Sequence, residues 1–152
     1  ALPQAEIELI AQLPAADKPA RSLEFYTPPE VRPSPVFSRV ALVRSEQWIY
    51  TSALFAREAP NPTTQAGGEA QAKDVFGQLK EILKQTGSDT SHLAKAMYYV
   101  CDPFASRGFD VARPAVLDPE RPPAASLIMV HGIAKSGRTL SMVMIAVPSG
   151  KQ

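Results

Sequence analysis

A chain of 152 residues with 45% hydrophobic and 20% charged side chains has the composition of one soluble globular domain, which excludes a disordered or collagen-like chain. Its 16 Lys and Arg against 15 Asp and Glu leave a formal charge of +1, too small for bulk attraction to nucleic acid or to an anionic membrane. A single cysteine, Cys101, excludes an intrachain disulfide, and with only His92 and His131 beside it there is no Cys/His set to hold structural zinc.

Proline divides the sequence unevenly. Pro3, Pro14, Pro19, Pro28, Pro29, Pro33 and Pro35 crowd the start of the chain and deny donors to any helix or central strand there. Residues 1–34 therefore read as a proline-rich arm, and 35–152 as the compact domain. Within the arm, Ala5 to Ala11 contains no proline and is open to a short strand, whereas Pro14 to Pro35 reads as extended linker or surface wrap. From Val40 the pattern turns to strand: Val40 to Val43, a polar turn Arg44 to Gln47, then Trp48 to Thr51, read as a β-hairpin.

Pro60, Pro62, Gly67 and Gly68 mark a loop. After it Ala72, Val75, Phe76, Leu79, Ile82 and Leu83 recur at helical spacing, with Lys73, Asp74, Gln78, Lys80, Glu81 and Lys84 on the other face. This amphipathic helix carries Glu69 near its start and Lys84 near its end, in keeping with the helix dipole, and Gly87 supplies a left-handed stop. Leu93 to Val100 is apolar enough for a strand buried on much of both faces. Asp102 followed by Pro103 signals a second helix, over about Pro103 to Leu117, that Gly108 and Pro114 make short, bent or frayed. Ser126 to Ile133 and Thr139 to Val147 flank a turn at Ala134 to Arg138 and read as a second hairpin.

The resulting order, β-β-α-β-α-β-β, favours an α+β sandwich with both helices on one face of a single mixed β-sheet. Two helices leave the opposite sheet face bare, so subunit association is expected. No apolar run reaches the roughly 18 residues of a membrane span, and residues 1–20 lack a signal's basic start and apolar centre. A cytoplasmic location and export after signal removal both stay open.

Several local signals sharpen this reading. Thr51-Ser52 ends the first hairpin, Glu69-Ala70-Gln71-Ala72 opens the helix, Pro122-Pro123-Ala124-Ala125-Ser126 precedes the fourth strand, and Met144-Ile145-Ala146-Val147 lies in the last. Their order and spacing, from about Pro35 to Val147, resemble the Rid family, the reactive intermediate deaminases also called YjgF-like proteins. The resemblance implies a chorismate mutase-like fold, a homotrimer whose sheets face a central core, and ligand clefts between subunits. No cofactor is implied.

In active members the cleft hydrolyses enamines or imines made by pyridoxal-phosphate enzymes, and an arginine after a Pro-Ala pair clamps the substrate carboxylate. That chemistry suits a guanidinium because two parallel charge-assisted hydrogen bonds fix both the orientation and the charge of a planar carboxylate. Here Ala125 follows Pro123-Ala124, so the clamp is absent. The glutamate that positions the hydrolytic water falls on Val143, and an apolar side chain neither orients nor deprotonates water. The asparagine of the second helix maps to Gly108, the tyrosine before the first strand falls near Phe37, and the Ser-Gly-Gln after the second strand survives only as Ser52. The resemblance thus implies a divergent, catalytically silent member. The competing expectation is that Arg107 or Arg121 replaces the lost guanidinium from another backbone position.

The arm offers a second likeness, since Ala1 to Ala11 resembles the last strand of a Rid domain, with Glu8 where the family keeps its glutamate. It reads either as the tail of an upstream copy or as an ordinary amphipathic strand. Cys101, with no His near in sequence, reads as a small buried hydrophobe and not as a nucleophile. His131, placed in the fourth strand beside Gly132, reads as a cleft wall or a sheet-edge residue, and His92 as surface. Tyr98 and Tyr99 put one ring on each sheet face. Some relatives carry an endoribonuclease label, but Arg32, Arg39, Arg44 and Arg57 are interleaved with proline and apolar residues and diluted by Glu46 and Glu58, which fits a solvated surface better than an RNA face. Two function classes remain. One is a silent trimer whose apolar clefts bind a small molecule or serve assembly; the other is a divergent enzyme acting on a less polar imine or enamine with Ser52, His131 and backbone groups.

Overall fold

A four-stranded mixed sheet and two helices packed on one of its faces form the body of the fold, an α+β architecture, in a computed structural model that describes residues 9–12, 21–58, 61 and 63–150. The strands are β1 (Leu23–Tyr26), β2 (Val40–Val43), β3 (Ile49–Tyr50), β4 (Leu93–Val100), β5 (Ala124–Met129) and β6 (Leu140–Ala146). The helices are α1 (Gln65–Gln85) and α2 (Pro103–Ala112).

Local chemistry sets the helix ends. The Thr64 hydroxyl accepts from the Gly67 amide, so α1 begins one turn before the expected opening at Glu69. Gly87, at φ 71°, takes the left-handed conformation that stops it. The Asp102 carboxylate caps α2 by accepting from the Ala105 amide at 2.8 Å, a contact of about 1 kcal/mol. At Pro114 the chain tightens into a 3-10 turn, Arg113–Ala115, which is the bend the sequence predicts.

Both predicted hairpins are corrected. The main sheet runs β3-β6-β4-β5, with β4 and β5 parallel and the other pairs antiparallel. Because β4 is apolar on both faces, it takes a central place, and β5 and β6 flank it instead of each other. The segment joining them crosses the end of β4, with the Val130 amide on the Val100 carbonyl and the Cys101 amide on the Thr139 carbonyl, both at 2.9 Å. Likewise β2 does not pair with β3. It pairs with β1, with Leu23 opposite Val43 and Tyr26 opposite Val40, in a separate two-stranded ribbon.

Strand β1 lies where the sequence reading places linker or surface wrap. Leu23 is buried with Ala94 and Val147, and Phe25, Ala41 and Val43 pack on them, so this ribbon seats on the irregular end of β4 between Leu93 and Lys95. A four-residue run without strict alternation gave too weak a signal against the prolines around it. The comparison of Ala1 to Ala11 with an upstream copy, Glu8 included, falls through residue 8 outside the described residues; Leu9 and Ile10 are exposed.

The main core lies between sheet and helices. Ala96, Tyr98 and Val100 of β4 and Leu140, Met142 and Met144 of β6 meet Ala72, Val75, Phe76 and Leu79 of α1 and Ala105 and Phe109 of α2. The Tyr98 ring is tilted at 53° to that of Phe109, with centroids 4.7 Å apart, and the Phe109 ring meets Phe76 edge-on at 5.9 Å; each such pair adds about 0.5–1.5 kcal/mol beyond burial.

Candidate functional site

Strand alternation puts Lys95, Met97 and Tyr99 on the face of β4 opposite the helices. Register extends this face into three rows: Tyr50, Ile145, Lys95 and Ala124; then Val143, Met97 and Ser126; then Ser141, Tyr99 and Ile128. No described helix covers it, and the β1-β2 ribbon reaches only its irregular end. Beside its apolar side chains the face carries one cation and four hydroxyls, those of Tyr50, Tyr99, Ser126 and Ser141, and the Lys95 ammonium donates to the Ser126 hydroxyl at 3.3 Å.

The sequence-predicted residues are distributed over both faces. Val143 lies on the open face beside Met97. Ala125, paired with Ala96, packs toward the helix-side core. Phe37 is half-buried under the Arg39 guanidinium, 5.1 Å from the ring centroid. It is brought to the start of β5 by its neighbour Ser38, which bridges Ala124 and donates its amide to Pro123 and its hydroxyl to Pro122. Ser52 is exposed just past β3, while Thr51 turns its hydroxyl to accept from the Met144 amide. His131 is corrected from strand to exposed crossover loop, because β5 ends at Met129. Gly108 is buried against Gly68 in the helix layer.

Ala125 thus turns away from the open face, and the two candidate substitute cations lie elsewhere in the fold. Arg121 donates Nε to the Ser91 carbonyl at 2.9 Å and Nη2 to the Leu23 carbonyl at 3.3 Å, with its guanidinium 5.7 Å from the Phe25 ring centroid. It fastens β1 to the turn before β4. A hollow of about 260 Å³ beside it is bounded by Arg21, Leu23, Glu24, Phe25, Glu120 and Arg121, where two arginines and two glutamates offset one another. Arg107 is exposed on α2, in the helix layer.

Titratable groups offer little chemistry. Burial pushes the Cys101 thiol up, the Asp102 charge adds to the rise, and a hydrogen bond with the Ile133 backbone only partly offsets it, so the thiolate is disfavoured. Asp89 feels an upward push from partial burial, but hydrogen bonds from Ser91 and His92 and the charge of the His92 ring outweigh it and hold the carboxyl below its ordinary range. His92 is thereby half-buried in a 3-10 turn, 2.7 Å from Asp89, and not a free surface group. Burial raises Tyr98 well above the ordinary phenol, and its hydroxyl has no partner among the described residues. No three His, Cys, Asp or Glu side chains converge as metal ligands among the described residues. No described helix is long and apolar enough to cross a membrane.

Lys95 is the site residue that sequence reasoning missed. Its signal was available: within Leu93 to Val100, a period of two sets Lys95 with Met97 and Tyr99, opposite Ala96 and Tyr98.

This architecture recurs in known proteins. A Rid-family protein, YyfB, from Yersinia pestis superposes with a TM-score of 0.67 at 21% identity, covering 83% of this chain and 98% of that one. A YjgF-family protein from Neisseria meningitidis gives 0.60 at 19% identity, over 85% and 97% of the two chains. RidA from an Antarctic Psychrobacter gives 0.57 at 21% identity, over 75% and 91%. At these identities the likeness establishes the fold. No curated protein sequence matches. The family model described as Endoribonuclease L-PSP matches residues 29–147, and the chain belongs to that family, the Rid or YjgF-like proteins.

Proposed function

We propose that this chain is a catalytically silent Rid-family protein, a trimeric module that binds a small molecule or serves assembly through its open sheet face. The observation that carries this reading is the engagement of Arg121. Ala125 has no guanidinium, and Arg121, the cation nearest in sequence, is held beside β1 by two of its five N–H donors, on the Ser91 and Leu23 carbonyls. Any carboxylate gripped by its remaining donors would lie beside β1, whereas one buried on the open face beside Val143 and Met97 would meet no guanidinium, at a cost of several kcal/mol. The open face supports association: it is mostly apolar, and one further subunit on each side would remove it from water. The test is to feed imines from a pyridoxal-phosphate dehydratase to the purified protein, time their hydrolysis, and measure its mass in solution.

A second reading, a divergent imine or enamine hydrolase with a relocated site, is favoured by Lys95 and Ser126. They place an ammonium and a hydroxyl 3.3 Å apart on the open face, one residue beyond Ala125. Under that reading, Lys95→Gln abolishes a measurable hydrolysis rate.

A further inference from the structure

A second hollow lies in the helix layer, away from the open sheet face. It is a groove of about 180 Å³ between α1 and the end of α2, lined by Lys73, Phe76, Gly77, Lys80, Val111, Ala112, Ala115 and Val116. This volume is below the roughly 300 Å³ at which drug-sized sites begin, so its occupant is small.

Gly77 stands in the middle of α1, where glycine is about 1 kcal/mol less favourable than alanine. Nothing in the fold requires it. Its φ is not positive, and a Cβ there meets nothing within 4 Å, unlike the crowded glycines 68 and 108. What the missing side chain does is leave the groove open above Phe76 and beside Val111, an apolar side chain 47% exposed.

Charge defines the rim. Lys73 and Lys80 lie one turn on either side of Gly77, at the spacing that puts all three on one helix face. Neither lysine forms an ion pair or hydrogen bond among the described residues. The acids of this stretch of α1 turn to Arg57 instead: Glu81 at 2.8 Å and Asp74 at 3.8 Å. Among the described residues no acidic side chain lines the groove.

We propose that this groove binds a small amphiphilic monocarboxylate, its apolar body over Gly77 against Phe76, Val111 and Val116 and its carboxylate between the Lys73 and Lys80 ammoniums. The site is independent of the open sheet face and of any imine chemistry. The probe is phenylacetate, with 2-phenylethanol as its neutral counterpart, titrated into the full chain while backbone amide shifts are followed by NMR. Saturable shifts are expected at residues 73–80 and 111–116 with phenylacetate, and weaker binding of the alcohol. Lys73→Gln and Lys80→Gln should each weaken the acid about two- to fivefold, as exposed charge contacts do, and leave the alcohol unchanged. Gly77→Leu, which fills the groove while improving the helix, should abolish both. Absent saturation, equal affinity for acid and alcohol, or binding that survives Gly77→Leu overturns the proposal. So do shifts at these residues that grow with protein concentration alone, since a second copy would then be the occupant.

Discussion

Gly108 of α2 and Gly68 of α1 lie in backbone contact: a Cβ on Gly108 would stand 2.4 Å from the Gly68 carbonyl oxygen, and one on Gly68 would stand 2.4 Å from the Phe104 carbonyl oxygen. Helical backbone on both sides cannot give way as a flexible side chain would. The position where the family resemblance implies an asparagine is therefore closed by helix packing, and restoring that side chain forces the helices apart. Gly108→Asn is expected to lose about 1–3 kcal/mol in urea unfolding, the usual cost of overpacking. Gly77→Ala, in open space on the same layer, should gain up to about 1 kcal/mol. Equal effects at the two sites would contradict this account of the crossing.

Arg121 is expected to act on stability and not on ligand capture. Arg121→Gln removes two charge-assisted bonds to the Ser91 and Leu23 carbonyls and the contact with Phe25. The loss should be about 2 kcal/mol, with faster amide hydrogen exchange across Leu23–Tyr26. Unchanged exchange in β1 would count against the fastening role.

Tyr98 makes an unusual expectation, a core substitution that stabilises. Its hydroxyl is buried without a partner among the described residues, and an unmet donor costs about 1–3 kcal/mol. Tyr98→Phe keeps the ring against Phe109 and Arg113 and should raise the melting temperature. A fall in melting temperature would mean that the hydroxyl is satisfied in solution.

Acid should expose the Asp89 cap. Because Ser91 and His92 hold this carboxyl below 3.8, its ordinary value, the folded state binds its proton less readily than the unfolded state. The stabilisation is complete above that ordinary value and is lost as pH falls through the lower folded value. Asp89→Asn should flatten stability against pH in that acidic window and leave the slope near neutrality unchanged. A mutant curve parallel to the wild type below pH 4 would contradict it.

What the sequence made legible was whatever depends on near neighbours. Asp102-Pro103 marked the start of α2, Gly87 the end of α1, and the apolar run Leu93 to Val100 the central strand with its boundaries. Strand pairing was less legible, because β5 and β6 resemble hairpin arms in sequence and only packing decides that β4 comes between them. Of the candidate face the sequence singled out Val143, whereas Ala125, read as its neighbour in a cleft, packs toward the helix-side core. Residues that act through distant partners were hidden: Arg121 meets Leu23 across most of the chain, and Gly108 meets Gly68 through a helix crossing that no local spacing reveals.

The most direct test of catalytic silence is the rate of imine decay. A pyridoxal-phosphate dehydratase supplies the imine, and keto-acid release is followed with and without this protein at equal concentration to the imine. The account predicts superimposable time courses, for the wild type and for Lys95→Gln alike. Acceleration that scales with added protein, and disappears in Lys95→Gln, would contradict it and establish the open face as a working hydrolytic site.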